Sequence, residues 1–228
     1  MTWCVFDLET DGLLDEVTRI FCLVVLSEGG EVRCFADEKS EDYRLDGDML
    51  DGLDYLAGFD TLVGHNIQGY DLPVLEKVTG WVPEWHQAVA DTLVMSRLVW
   101  PDLRERDFKR LAKDKDFPRK YIGSHSLAAW GYRLNNHKQL VDVTALTALT
   151  AEVLDYCVQD TQVNAALWGR IQSREPDQFS VDVEMAFAKI LEGMMSRGWG
   201  FDCSAAEELL KELLTARAEL DVEVTGLF

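Results

Sequence analysis

The stretch Trp3-Cys4-Val5-Phe6-Asp7-Leu8-Glu9-Thr10-Asp11-Gly12 decides the reading of this chain. It starts as an apolar, alternating run of strand length and ends in acids and a glycine. Residues two apart in a strand face the same side. Asp7 and Glu9 therefore present their carboxylates together where the strand leaves its sheet. An acidic pair at a strand end is common, so the rest of the chain must say what the pair is for.

Outward from it, Ile20 to Leu26 is a continuous apolar run suited to a central strand. Glu28-Gly29-Gly30 is a turn signal, and Glu31 to Phe35 follows it, so the two runs read as a hairpin. Met49 to Leu56 has helical apolar spacing, and Thr61 to Val63 reads as a short returning strand. Helices are expected over Leu72 to Val78, over Thr92 to Val99 with Asp91 as N-cap and Pro101 as stop, over Ser126 to Tyr132 and over Val153 to Ile171. Leu103 to Gly123 reads as polar, basic and irregular. Strands followed mostly by helices predict an α/β fold with a mixed sheet. Arg174-Glu175-Pro176-Asp177 reads as a boundary, giving domains over 1–175 and 176–228. The second is a helical appendage: Val181 to Ser196, then a helix to about Val222 opened by a capping box of Ser204 and Glu207.

With 228 residues, 47% of them hydrophobic, the chain can bury one sizeable core. No apolar run approaches the roughly 20 residues of a membrane span. The first residues lack a signal-peptide pattern, and Cys4, Cys22, Cys34, Cys157 and Cys203 follow no metal-knuckle spacing, which predicts a cytoplasmic protein with free thiols and no membrane partner. A formal net charge of −19 argues against general phosphate binding. Divalent metals in an acidic pocket, or a local cluster of cations, would reverse that. Arg97, Arg104, Arg106, Lys109, Arg110, Lys113, Lys115, Arg119 and Lys120 form such a run, readable as a solvated face or as a nucleic-acid contact.

Two further acidic elements stand beside the first. In Gly64-His65-Asn66-Ile67-Gln68-Gly69-Tyr70-Asp71, a strand gives way to a turn and a helix starts near Asp71. A carboxylate there caps the helix, binds a metal through water, or does both. In Asp155-Tyr156-Cys157-Val158-Gln159-Asp160, Tyr156 and Asp160 are four apart and share a helix face, as a core-edge pair also would.

Taken in order, Asp7, Glu9, Asp71 and Asp160, with Tyr156, resemble the DEDD exonuclease superfamily in its tyrosine-bearing branch. The resemblance is closest to the 3′→5′ proofreading exonuclease domain of family A DNA polymerases from short-tailed phages. It rests also on Asp91-Thr92 through Arg97-Leu98 and, most specifically, on Gly123-Ser124-His125-Ser126-Leu127-Ala128-Ala129-Trp130-Gly131-Tyr132-Arg133-Leu134. Glu184 to Asp202 resembles the start of the polymerase domain, of which nothing catalytic follows.

This likeness implies an RNase H-like fold and a DNA exonuclease that releases 5′-mononucleotides from single-stranded DNA or frayed 3′ ends, in the cytoplasm of a phage-infected bacterium. It implies two divalent ions, Mg²⁺ or Mn²⁺, with Asp7 shared, Glu9 and Asp160 completing one site and Asp71 holding the second. Tyr156 would orient the attacking water, and Thr10, Leu13, Asn66 and Tyr132 (or its neighbour Trp130) would touch substrate. A superfamily enzyme acting on RNA or short oligonucleotides, and an assembly module of a split polymerase, are the competing readings. Ala186, Ile190, Met194, Leu209, Leu213 and Leu220, at helical spacing, are expected to meet a separate polymerase subunit or a second copy.

Overall fold

The computed structural model describes residues 1–112, 114–115, 117–136 and 148–226. Lys113 of the basic run lies outside them. The chain divides into two compact units, Met1–Glu192 and Gly193–Phe228. The first is built on a five-stranded mixed sheet. Its strands are β1 (Trp3–Thr10), β2 (Ile20–Ser27), β3 (Val32–Phe35), β4 (Thr61–Gly64) and β5 (Ala88–Asp91). They lie in the order β3-β2-β1-β4-β5. The β1–β2 and β2–β3 pairs are antiparallel, and β1–β4 and β4–β5 are parallel. The antiparallel meander is the one expected from the apolar runs. β5 was not expected: Ala88-Val89-Ala90-Asp91 is four residues long and offers no alternation to separate it from a loop.

Around the sheet run α1 (Met49–Ala57), α2 (Asp71–Thr79), α3 (Thr92–Val99), α4 (Leu103–Leu111), α5 (Leu127–Arg133), α6 (Ala151–Gln172) and α7 (Gln178–Arg197). α4 corrects the irregular reading of Leu103 to Gly123. Of its residues, Leu103 and Asp107 are buried, so it carries no apolar stripe for periodicity to find.

The pleat of β1 sorts its residues between two cores. Cys4, Phe6 and Leu8 pack with Leu53, Leu56, Val74 and Leu75 of α1 and α2. Val5 packs on the opposite side with Val63, Met95 of α3, Leu127 and Trp130 of α5 and Val163 and Leu167 of α6. Asp7 and Glu9 continue the Val5 side, toward α6. The first residues of α7 join this core through Val181 and Met185.

The second unit holds the end of α7 and α8 (Cys203–Thr225). Asp202, not Ser204, caps α8, accepting from the Ala205 amide at 2.9 Å. The helix begins two residues too early for the expected capping box. Leu209, Leu213 and Leu220 on α8 are exposed. Among the described residues, no helix is long and apolar enough to cross a membrane.

Candidate active site

Asp7 and Glu9 stand on the central strand, opposite Val24 and Cys22 of β2. The register shifts between Glu9 and Thr10, where the strand leaves its partner. Glu9 is buried and Asp7 is partly so. From α6, the Cys157 thiol reaches the Asp7 backbone carbonyl at 3.5 Å and its carboxylate at 3.7 Å. Ligand atoms of Asp7, Glu9 and Cys157 all lie within 4.8 Å of one another.

Asp71 is the first residue of α2 and is 3% exposed. Tyr70 holds the N-cap position without a side-chain capping bond. Burial, with Asp7 next and Asp91 and Glu9 after it, raises the Asp71 carboxyl well above its ordinary range. Asp160 on α6 is also buried. It lies one turn beyond Tyr156 and three residues after the thiol that touches Asp7. The Tyr156 phenol is pushed up to about 12, first by burial and then by Glu9 and Asp7. The fold therefore gathers Asp7, Glu9, Asp71 and Tyr156 into one electrostatic neighbourhood, with Asp160 on the same helix as Tyr156.

The four other expected contact residues surround this group in different ways. Thr10 has its hydroxyl in close contact with the Tyr70 hydroxyl, and both bond the Gly12 carbonyl, at 3.0 and 2.7 Å. Thr10 thus fastens the end of β1 to the start of α2. Leu13 is 75% exposed in the next loop, which Asp11 pins through the amides of Thr18 and Arg19 and Lys77 pins through the carbonyls of Leu14 and Asp15. Asn66 takes a positive φ of 65° in the β4–α2 turn. Tyr132 on α5 is half-buried, with its ring 5.1 Å from that of Tyr121. Trp130 is 4% exposed against Trp100, so it belongs to the core and is closed to a stacking base.

The supporting roles of three residues, Asp91, Gly64 and Thr92, escaped the sequence reading. Asp91 does more than cap α3: besides the Leu93 amide it accepts the amides of Asn66 and Gln68, at 2.9 and 3.3 Å. It thereby holds the turn that delivers Asp71. Gly64 precedes that turn, and a Cβ there would meet Ile67 at 2.6 Å. Thr92 ties the same region to α6, bonding Asn164 at 2.6 Å and His65 at 2.9 Å. Nothing but the order of the motifs hinted at these long-range bonds.

Asp91→Ala should lower stability by about 2–4 kcal/mol, since it removes a cap and leaves two more amides without their acceptor. Chemical denaturation measures this, and a loss under about 0.5 kcal/mol, the scale of an ordinary surface change, would deny the bracing role.

The chain matches the RNase H superfamily model over residues 4–171. The chain belongs to the RNase H superfamily. Among curated relatives, the DNA-directed DNA polymerases of Escherichia phage T7 and Enterobacteria phage T3 are each 31% identical to it over 98% of its length. The chain spans 37% of the length of each of those relatives. Solved structures share the RNase H-like architecture. Brucella melitensis NrnC with bound Mg²⁺ superposes with a TM-score of 0.55 at 20% identity, covering 88% of this chain and 89% of that one. NrnC bound to pGG gives 0.55 at 21% identity, covering 88% of each.

This member of the superfamily meets the chemical requirement for a hard divalent cation. The donors are carboxylate oxygens, and buried Asp71 stands close enough to Asp7 and Glu9 for their charges to raise its carboxyl. A carboxyl raised in the folded state stabilises most below its unfolded value and loses that contribution as pH rises through its folded value. In chelator, the thermal midpoint should fall as pH rises above about 4, the ordinary carboxylate value. Asp71→Asn should flatten that fall. A midpoint equally pH-dependent in both proteins would contradict the crowding of these carboxylates.

Proposed function

We propose that this chain is a two-metal-ion 3′→5′ exonuclease that removes 5′-mononucleotides from single-stranded DNA or frayed 3′ ends, as a proofreading unit. The observation that carries the reading is the meeting of Asp7, Glu9 and Asp71, from two separate motifs, beside Tyr156 in a superfamily of matching fold. The likeness to phage DNA polymerases supports DNA as substrate and a polymerase as partner.

Asp7, Glu9, Asp71 and Asp160 would hold two Mg²⁺ or Mn²⁺ ions. Such a pair clamps the attacking and leaving oxygens of a phosphodiester. Asp7, on the central strand, would be the ligand shared between both ions. Tyr156, with its phenol pushed up to about 12, stays protonated at neutral pH and donates its proton in a hydrogen bond. It orients the attacking water and does not deprotonate it. Leu13, exposed on a pinned loop, wedges against the terminal base. Asn66 and Tyr132 contact the strand, and Thr10 sets the position of the β1 end. Leu209, Leu213 and Leu220, exposed on α8, offer an apolar face to a polymerase subunit or to a second copy.

A specific observation favours one competing substrate. NrnC, described with pGG bound, shares this chain's fold over 88% of each, which keeps RNA or a short oligonucleotide as the competing substrate. Matched DNA and RNA strands of one sequence decide between them. The DNA reading expects the DNA strand to be degraded faster; faster loss of RNA would replace it. Single strands should also outrun blunt duplex, since each terminal step must be unstacked at roughly 1.4 kcal/mol. Equal rates on GC-rich duplex and single strands would count against a recessed site.

A further inference from the structure

The carboxylate cluster includes one group that phosphodiester hydrolysis does not call for. Cys157 is fully buried on α6, against the two acids of β1. Its sulfur stands 3.7 Å from an Asp7 carboxylate oxygen. A Glu9 oxygen completes a set whose three ligand atoms all lie within 4.8 Å of one another. Among the described residues this is the one grouping of three His, Cys, Asp or Glu side chains with that spacing. Cys22 lies opposite Glu9 on β2, and its thiol is hydrogen-bonded to that of Cys157. Sulfur therefore lines one end of the cluster and oxygen the other.

The spacing fits a small cation bound in part by sulfur. Around a tetrahedral Zn²⁺ ion, with Zn–S near 2.3 Å and Zn–O near 2.1 Å, sulfur and oxygen ligands sit about 3.6 Å apart. The Asp7 oxygen and the Cys157 sulfur already have that separation. The elements that carry them are fixed, since β1 is the central strand and Cys157 packs in the core with Val153 and Leu154. Asp7 is partly exposed and Cys157 is not, so the set opens to solvent on its oxygen side.

The donor types say which cation gains most. Mg²⁺ takes oxygen ligands and gains little from sulfur, whereas zinc-like ions bind thiolate well. Burial raises the Cys157 thiol well above its ordinary range, so the free protein keeps that proton. A cation that takes the sulfur as ligand releases the proton to solvent.

We infer that Cys157 is a sulfur ligand at the Asp7–Glu9 position, which lets this position capture a thiophilic divalent cation, of the zinc or cadmium kind, in competition with Mg²⁺. The inference rests on the reading of Asp7 and Glu9 as cation ligands. It adds to that reading the residue that decides which cation is held.

Cd²⁺ is the probe, because a cadmium–thiolate bond absorbs in the ultraviolet by charge transfer. Titrated into the full chain, Cd²⁺ should raise that band to a one-to-one endpoint and release about one proton. Cys203→Ser, which removes the exposed thiol of α8, should keep the band. Cys157→Ser should lose it, and its affinity for Cd²⁺ relative to Mn²⁺, read by calorimetry, should fall by about tenfold or more. Asp7→Asn leaves every thiol in place and should weaken both ions. Wild-type protein that binds Cd²⁺ without the band, or Cys157→Ser protein that keeps it, overturns the inference. A band undiminished in Asp7→Asn does so too, by showing sulfur capture without the carboxylates. Mn²⁺ binding in the same Asp7→Asn comparison judges the carboxylate reading on its own, so the two can fail separately.

Discussion

Asp7→Ala should abolish nuclease activity and leave the fold standing. Asp7 is the carboxylate around which the site is built: it neighbours Glu9 on the strand, touches Cys157 of α6 and adds to the burial that raises Asp71. A ligand shared by two cations removes both positions when it is lost. Metal stabilisation of a developing charge is worth several kcal/mol, so the rate should fall by about 10³-fold or more. The fold should survive because Asp7 is partly exposed and its removal relieves like-charge crowding around Asp71. Circular dichroism and a thermal melt of the purified variant check the second half. Folded Asp7→Ala that degrades strands at near the wild-type rate would show that the chemistry is elsewhere.

Asp160→Ala should be the more damaging of the two changes on α6, and Tyr156→Phe the milder. The two side chains are one helical turn apart, but their chemistry differs. Asp160 is a buried acid able to hold a cation, whereas Tyr156 keeps its proton with its phenol pushed up to about 12. Loss of a water-orienting hydroxyl costs at most about 10²–10⁴-fold, the scale of general acid–base assistance. Initial rates of both variants under saturating Mg²⁺ give the comparison. A Tyr156→Phe enzyme slower than Asp160→Ala would make the phenol a principal group and displace the role given to it here.

The legible parts of this molecule were those with a local period. β1 alternates, so both its two-sided packing and the shared side of Asp7 and Glu9 follow from spacing. α3 has bounds of Thr92–Val99, set by an N-cap aspartate and a following proline, both visible in the chain. α4 was hidden because a buried ion pair, Asp107 with Arg133, anchors it where an apolar stripe usually would. β5 was hidden by its four-residue length and by dependence on β4 for every ladder bond. The order of the acidic motifs pointed to the site residues. The bracing did not show, because Asp91 reaches back across 23 to 25 residues and Thr92 reaches forward across 72. The basic run gave a charge without a place. Arg106 and Arg110 acquire theirs only when α5 and α6 bring Arg133 and Arg170 beside them.

One gel tests the central claim most directly. Single-stranded DNA labelled at the 5′ end in one tube and at the 3′ end in another is incubated with the chain and Mg²⁺, and in parallel with chelator. A 3′→5′ exonuclease built on these carboxylates releases the 3′ label at once as a mononucleotide. It shortens the 5′-labelled strand one step at a time, and it does neither in chelator. Internal fragments at early times, loss of the 5′ label first, or undiminished cleavage in chelator would contradict the account.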